Sequence, residues 1–149
     1  MLEDVWQYPR PPRVEASDAL IEIEHRGQIL ARTRRALRVL ETSHPPSYYL
    51  PIQDIDMSRL EPVQRRSFCE FKGWAGYWAL DGQVVAWSYA EPALGFQSIA
   101  GALAFYPSRL DECRVNGERV QAQEGDFYGG WITSNLKGPF KGAPGTSGW

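Results

Sequence analysis

Two kinds of chemistry can be read from residue types and their spacing. The first is nucleophilic. Cys69 and Lys72 sit three apart in Cys69-Glu70-Phe71-Lys72. An ammonium close to a thiol can lower the thiol pKa and expose a thiolate. With the carboxylate of Glu41, these are the candidate catalytic residues, Cys69, Lys72 and Glu41. The pattern C-x-x-K is common, and a free cysteine is equally at home as a small buried hydrophobe, the reading adopted for Cys113. The second chemistry is recognition. Aromatics make up 13% of the chain, including 6 Trp and 7 Tyr, and they crowd into Trp74 to Tyr89. Flat apolar walls with a few fixed polar groups are the usual makings of a small-molecule site. The candidate ligand-binding residues are Arg35, Glu41, Tyr49, Lys72, Trp78, Trp87 and Tyr89.

Metal chemistry is not indicated. The chain has 2 Cys and 2 His. Cys69, Cys113, His25 and His44 lie too far apart in sequence for the tight spacings of a structural zinc site. No metal and no cofactor is therefore assigned. Lysine is scarce: of 16 basic residues only Lys72, Lys137 and Lys141 are lysines. Lys differs from Arg as a compact charge whose pKa responds to burial. Lys72 is therefore predicted to point inward and to pair with Glu41.

These residues need a scaffold. Arg26-Gly27, Asp81-Gly82 and Asn116-Gly117 each separate two extended runs. All three read as hairpin turns, and Asp-Gly and Asn-Gly are the strongest such signals, because both central residues of a type I′ turn need positive φ. Thr33 to Glu41, Tyr48-Tyr49-Leu50 and Ile99 to Tyr106 read as further strands. Ser58-Arg59-Leu60-Glu61 matches a capping box and predicts a short helix to about Arg66. The fold class is mostly β, with antiparallel hairpins in two sheets leaning together and one short helix. The organisation reads as an extended Pro-rich arm over 1–13, the β domain over 14–124, and a tail over 125–149 rich in Gly, Pro and aromatics. Disordered segments are usually poor in aromatics, so the tail is predicted to pack on the domain or on a neighbouring subunit.

Alternation along a strand assigns faces. A two-residue turn at Asp81-Gly82 pairs Trp78 with Val85 and Gly76 with Trp87. One face then carries Trp74, Trp78, Val85, Trp87 and Tyr89, with space beside the Trp87 indole. On the Thr33 to Glu41 run, Arg35 and Glu41 share the parity of Leu37 and Val39 and point inward. Arg34 and Arg38 read as solvated outer charges. Glu41 fits either a structural bridge to an Arg or a cleft.

Composition removes other classes. At 149 residues the chain fits one domain, and 43% hydrophobic with 23% charged residues argues against general disorder. No run approaches the ~20 apolar residues that span a bilayer, so no membrane partner is expected. A net charge of −2 leaves no basic footprint for nucleic acid. The acidic start Met1-Leu2-Glu3-Asp4 lacks an apolar signal core, and the expected location is cytoplasmic.

Several segments together match a known pattern. They are Glu41-Thr42-Ser43-His44-Pro45-Pro46-Ser47-Tyr48-Tyr49-Leu50-Pro51, Cys69-Glu70-Phe71-Lys72-Gly73-Trp74-Ala75-Gly76-Tyr77-Trp78, Ala86-Trp87-Ser88-Tyr89 and Ala104-Phe105-Tyr106. The chain resembles the domain of unknown function 427 family from about Val14 to Val120. The resemblance implies a β-tent, or open pseudo-barrel, of two sheets. It also brings a nucleotidyltransferase label. Asp54-Ile55-Asp56 is a D-x-D, but no Gly-Ser phosphate loop precedes it, and enzymes of that kind need both. No G-x-G-x-x-G, G-x-x-x-x-G-K-[ST] or G-x-S-x-G is present.

The leading expectation is a small-ligand binding domain with its pocket between the sheets. The alternatives are an enzyme using Cys69 and Lys72 or transferring a nucleotidyl group, and an interaction module gripping a partner through its aromatic tail. A homodimer is the protein partner that such a tail would fit. The ligand's identity is not legible.

Overall fold

The computed structural model describes residues 2–125 and 127–149. Strands β1 (Glu3–Asp4) and β2 (Arg13–Ala16) flank the proline-rich arm. β3 (Ile21–His25) and β4 (Gln28–Thr33) form the first hairpin, and β5 (Leu37–Leu40) and β6 (Ser47–Leu50) lie either side of His44-Pro45-Pro46. β7 (Glu61–Cys69), β8 (Gly73–Leu80) and β9 (Gln83–Ser88) make a meander. β10 (Leu103–Phe105), β11 (Glu112–Val115) and β12 (Glu118–Arg119) follow. The chain ends in the two-residue strands β13 (Gln121–Ala122), β14 (Trp131–Ile132) and β15 (Leu136–Lys137).

The three predicted hairpin turns form. Both central residues take positive φ in each: Arg26 and Gly27 at 53° and 75°, Asp81 and Gly82 at 50° and 82°, Asn116 and Gly117 at 49° and 83°. That is the type I′ requirement. The strands assemble into a seven-stranded sheet in the order β2-β5-β6-β10-β9-β8-β7 and a four-stranded sheet in the order β12-β11-β3-β4. β13 pairs with β14, and β15 lies parallel to β1. The fold is mostly β, with two main antiparallel sheets, two short strand pairs and, among the described residues, no closed barrel.

The main core lies between the two sheets. Ile21, Ile23, Leu30 and Ala31 of the smaller sheet meet Tyr48, Leu50, Ala86, Leu103 and Phe105 of the larger. Trp131, fully buried, seals this layer: its Nε1 donates to the Phe105 carbonyl at 3.1 Å, and its ring lies 5.1 Å from that of Tyr48.

Four expectations are corrected. The predicted helix over Arg59 to Arg66 does not form; a three-residue 3-10 turn at Met57–Arg59 runs into β7. The Ser58 hydroxyl donates to Asp56 rather than capping a helix. Pro62 is tolerated because β7 is the sheet edge. Pairing with β8 outweighs the local signal. The Thr33 to Glu41 run is broken, with Arg34 to Ala36 connecting β4 to β5. The strand predicted over Ile99 to Tyr106 shrinks to Leu103–Phe105 because Gly101 turns at φ 74°. Arg38 is not a solvated charge. Its side chain is 13% exposed and lies between Glu3 (2.9 Å) and Glu15 (2.6 Å). The N-terminal arm folds over it, and the guanidinium holds the Glu3 carboxyl below its usual pKa.

The face assignment on β8 and β9 changes for one reason. A bulge between Trp78 and Ala79 shifts the ladder by a residue. Tyr77, not Gly76, is opposite Trp87, and Trp78 is opposite Ala86. One extra residue in a strand exchanges every side chain between faces beyond it.

Candidate ligand site

The outer face of the seven-stranded sheet, turned away from the smaller sheet, has its own apolar cluster. Val39, Tyr49, Ala75, Tyr89 and Ala104 pack there with Phe96 and Ile99, and Trp87 and Leu37 join them half-buried. Above this cluster opens a cavity of about 380 Å³. Its walls come from β5, β6, β7, β8 and β9 and from the later chain at Gln123, Tyr128, Gly129 and Lys141. β5 and β7 are five ladder steps apart, about 24 Å on a flat sheet. Lining one cavity requires the sheet to curl around it.

No residue of β3, β4, β11 or β12 lines the cavity. The expectation of a pocket between the sheets is therefore corrected. That layer is filled by the main core, and the open volume lies on the opposite face.

The wall is aromatic and internally bonded. Trp87 Nε1 donates to the Tyr49 hydroxyl at 3.0 Å, and the two rings meet edge to face with centroids 6.1 Å apart. Tyr106 lies tilted against Trp87 at 4.6 Å, and Tyr89 tilts against Tyr49 at 6.4 Å. Burial raises the pKa of both Tyr49 and Tyr89, so both are neutral phenols. Tyr77 shares a 2.6 Å hydrogen bond with Ser67.

The polar rim comes mainly from loops. Gln123, buried at 4% exposure, is the organiser. Its Oε1 accepts from Gly130 N–H at 3.1 Å, and its Nε2 donates to the Lys141 carbonyl at 2.7 Å. Those two bonds orient the amide. The remaining Nε2 proton therefore points at His44 Nδ1, 3.1 Å away. His44 Nδ1 must accept, so the neutral ring carries its proton on Nε2. Burial, then Lys141, Arg10 and Lys72, hold its pKa down to about 4. Nε2 faces Glu41 Oε2 at 3.9 Å.

Glu41, Tyr49, Lys72, Trp87 and Tyr89 all line the cavity, and so does Cys69. Two candidates lie elsewhere. Arg35 sits in the β4–β5 connection, where strand parity does not apply. It is 65% exposed and bonds to Asp54 at 3.1 Å. Trp78 faces the opposite side through the bulge, packing on the main core and donating from Nε1 to Ser88 Oγ at 3.0 Å. The expected Lys72–Glu41 pair is also corrected. Glu41 bridges to Arg10 at 3.8 Å and to His44. Lys72 instead lies 5.9 Å over the Tyr89 ring, its backbone carbonyl held by Ala93 N–H at 2.8 Å. Gly76 leaves no space beside Trp87; a Cβ there would meet nothing within 4 Å, on the other face.

The family model described as a domain of unknown function, DUF427, matches residues 13–116. The chain belongs to the DUF427 family. No curated protein matches it. The matched span holds the sheet that curls around the cavity, while Gln123, Tyr128 and Lys141 lie beyond it. In this DUF427 chain the roof is thus added to the matched sheet by the later segment. Gly129 and Gly130 let that segment lie close. A Cβ on Gly129 would collide with the Trp87 ring, and one on Gly130 would come within 2.5 Å of Gln123 Oε1 and Pro45.

Sequence reasoning missed Tyr77, Arg65, His44, Gln123 and Lys141 as cavity residues. Tyr77 was hidden by the bulge, and Arg65 by the reading of its segment as a helix. His44 and Gln123 sit in loops without periodicity, although the His44-Pro45-Pro46 segment was part of the family pattern. Among the described residues no three of His, Cys, Asp and Glu come together to hold a metal ion. Asp54 and Asp56 of the D-x-D are not among the cavity residues: Asp54 is engaged by Thr33 and Arg35, and Asp56 by Ser58.

Proposed function

We propose that this DUF427 chain is a small-ligand binding domain whose site is the cavity on the outer face of the seven-stranded sheet. One observation carries the reading: about 380 Å³ of open volume lies over a hydrogen-bonded aromatic wall ringed by a few polar groups. Ligand sites have that size and that mix. Glu41, Tyr49, Lys72, Trp87 and Tyr89 are the contacts proposed, with His44 and Tyr77 added and Arg35 and Trp78 withdrawn. The free thiols Cys69 and Cys113 suit a reducing compartment such as the cytoplasm. Among the described residues no helix is long and apolar enough to cross a membrane.

The test is a thermal-shift screen with a diverse fragment set at about 1 mM each, a range in which even weak binders stabilise a folded protein. Binders should raise Tm in the native chain and lose their effect in Trp87→Ala. A set in which no compound raises Tm would overturn the reading.

An enzyme at the same site is a second reading, favoured by the placement of Cys69 and Lys72 on one cavity wall. Iodoacetamide should then alkylate Cys69 faster than free cysteine at neutral pH, and no acceleration would remove the nucleophile. Nucleotidyl transfer, which the family model's label names, gains no support from a cavity whose described lining has one carboxylate, Glu41.

A further inference from the structure

The polar groups around the cavity have a common character: nearly all of them donate. Arg65, Lys72 and Lys141 line it, and among the described residues none of the three forms an ion pair. Each lies over a tyrosine ring instead, Arg65 over Tyr77 at 4.9 Å, Lys72 over Tyr89 at 5.9 Å and Lys141 over Tyr128 at 5.8 Å. A ring face attracts a cation but leaves its N–H groups able to bond elsewhere. The neutral donors point the same way. His44 presents Nε2–H, because its Nδ1 accepts from Gln123. The Tyr49 hydroxyl accepts from Trp87, which leaves its own proton to give. Against these stands one carboxylate among the described lining residues, Glu41, already placed between Arg10 and His44.

A half-buried site that gathers cations and donors with so few acceptors favours an acceptor-rich group over a donor or a cation. The rest of the wall, Trp87 with Tyr49 and Tyr89, offers flat apolar surface. We infer that the cavity takes an organic anion, a carboxylate or phosphate monoester carried on a flat apolar body, with the anionic group among Lys72, Lys141 and Arg65 and the body against Trp87. This inference rests on the ligand-binding reading above and specifies its chemistry.

The test compares four probes of one shape: phenylacetate, phenyl phosphate, neutral phenylacetamide and cationic benzylamine. Each is titrated calorimetrically into the full chain up to about 10 mM, a range that reaches millimolar affinities. Either anion should bind at least about tenfold tighter than the amide, a factor expected of a charge-assisted contact, and the ammonium should bind worst. The better of the two anions identifies the group. Lys72→Gln should weaken anion binding about tenfold and amide binding far less, its fold checked by circular dichroism. The His44 ring, followed by NMR, should titrate at higher pH with the anion bound, which locates the anion beside it. Amide or ammonium binding as tight as the anions would overturn the inference while leaving ligand binding standing. Anion binding that Lys72→Gln, Arg65→Gln and Lys141→Gln all leave unchanged, or that does not move the His44 titration, would overturn it too. Binding by none of the four would overturn both this inference and the reading beneath it.

Discussion

Neighbouring residues of the same strands build the two faces of the seven-stranded sheet, and the faces differ in what covers them. Tyr48 and Leu50 of β6 look into the main core, while Tyr49 between them looks into the cavity. Ala86 and Trp87 of β9 divide in the same way. The core face meets a second sheet, whose Ile21, Ile23 and Leu30 fill the space between its side chains. The cavity face is roofed in part by an irregular segment that brings glycine backbone against Trp87 and Gln123. Side chains packed against side chains leave no volume. A strap anchored at a few points leaves a hollow. The contrast separates a face that is filled from one that is left open, and substitutions on the two faces should cost different things.

The largest effect is expected on the core face. Trp131→Ala removes a fully buried indole and its bond to the Phe105 carbonyl. Large aromatic truncations in cores cost about 3–5 kcal/mol, and urea denaturation should show a loss of that size. A loss below about 1 kcal/mol would mean that this segment does not close the core.

The next effect is a pH dependence seated on the cavity side. The unfolded chain protonates His44 near pH 6.5, the folded chain only near about 4. Between those values the unfolded state binds more protons, so stability falls as pH drops from about 6.5 towards about 4. At about 1.4 kcal/mol per unit the full loss is about 3 kcal/mol. Glu3, held low by Arg38, adds a loss of the same sign only as pH falls below the ordinary carboxylate value of 4.5. His44→Gln should flatten the curve above pH 4.5 and leave the Glu3 part. An unchanged slope would show that His44 protonates freely and that neither its burial nor the nearby cations hold it neutral.

Trp87→Ala should cost less than Trp131→Ala, about 2 kcal/mol, because one side of the indole already faces open volume and the core range is not reached. It should remove ligand-induced stabilisation, which Trp131→Phe should retain. Equal costs for the two alanine variants would erase the distinction between the faces.

The smallest effect sharpens the boundary of the site. Arg35 bonds to Asp54 from an exposed position, and such pairs contribute up to about 1 kcal/mol. Arg35→Ala should change stability by no more than that, with probe binding untouched. A tenfold loss of binding would return Arg35 to the site.

How much was legible in the sequence follows from the range of each interaction. The hairpins at Asp81-Gly82 and Asn116-Gly117 were readable because a type I′ turn is decided by its own two residues, and the one at Arg26-Gly27 because a short glycine turn separates two extended runs. The all-β class and the family followed from local runs and motifs. Glu41, Tyr49, Lys72, Trp87 and Tyr89 line one cavity and were named from residue type, aromatic and polar, alone. Tertiary structure decided the rest. The bulge at Trp78/Ala79 exchanged Gly76 for Tyr77 opposite Trp87, and nothing local announces one extra residue in a ladder. Pairing with β8 turned a capping box into an edge strand. Glu41 took Arg10 and His44 rather than Lys72, because the partners of a charge are set by which distant loops arrive beside it. Which face of the sheet stays open was fixed by where the second sheet and the glycine strap dock, and that geometry exists only once the whole chain has folded.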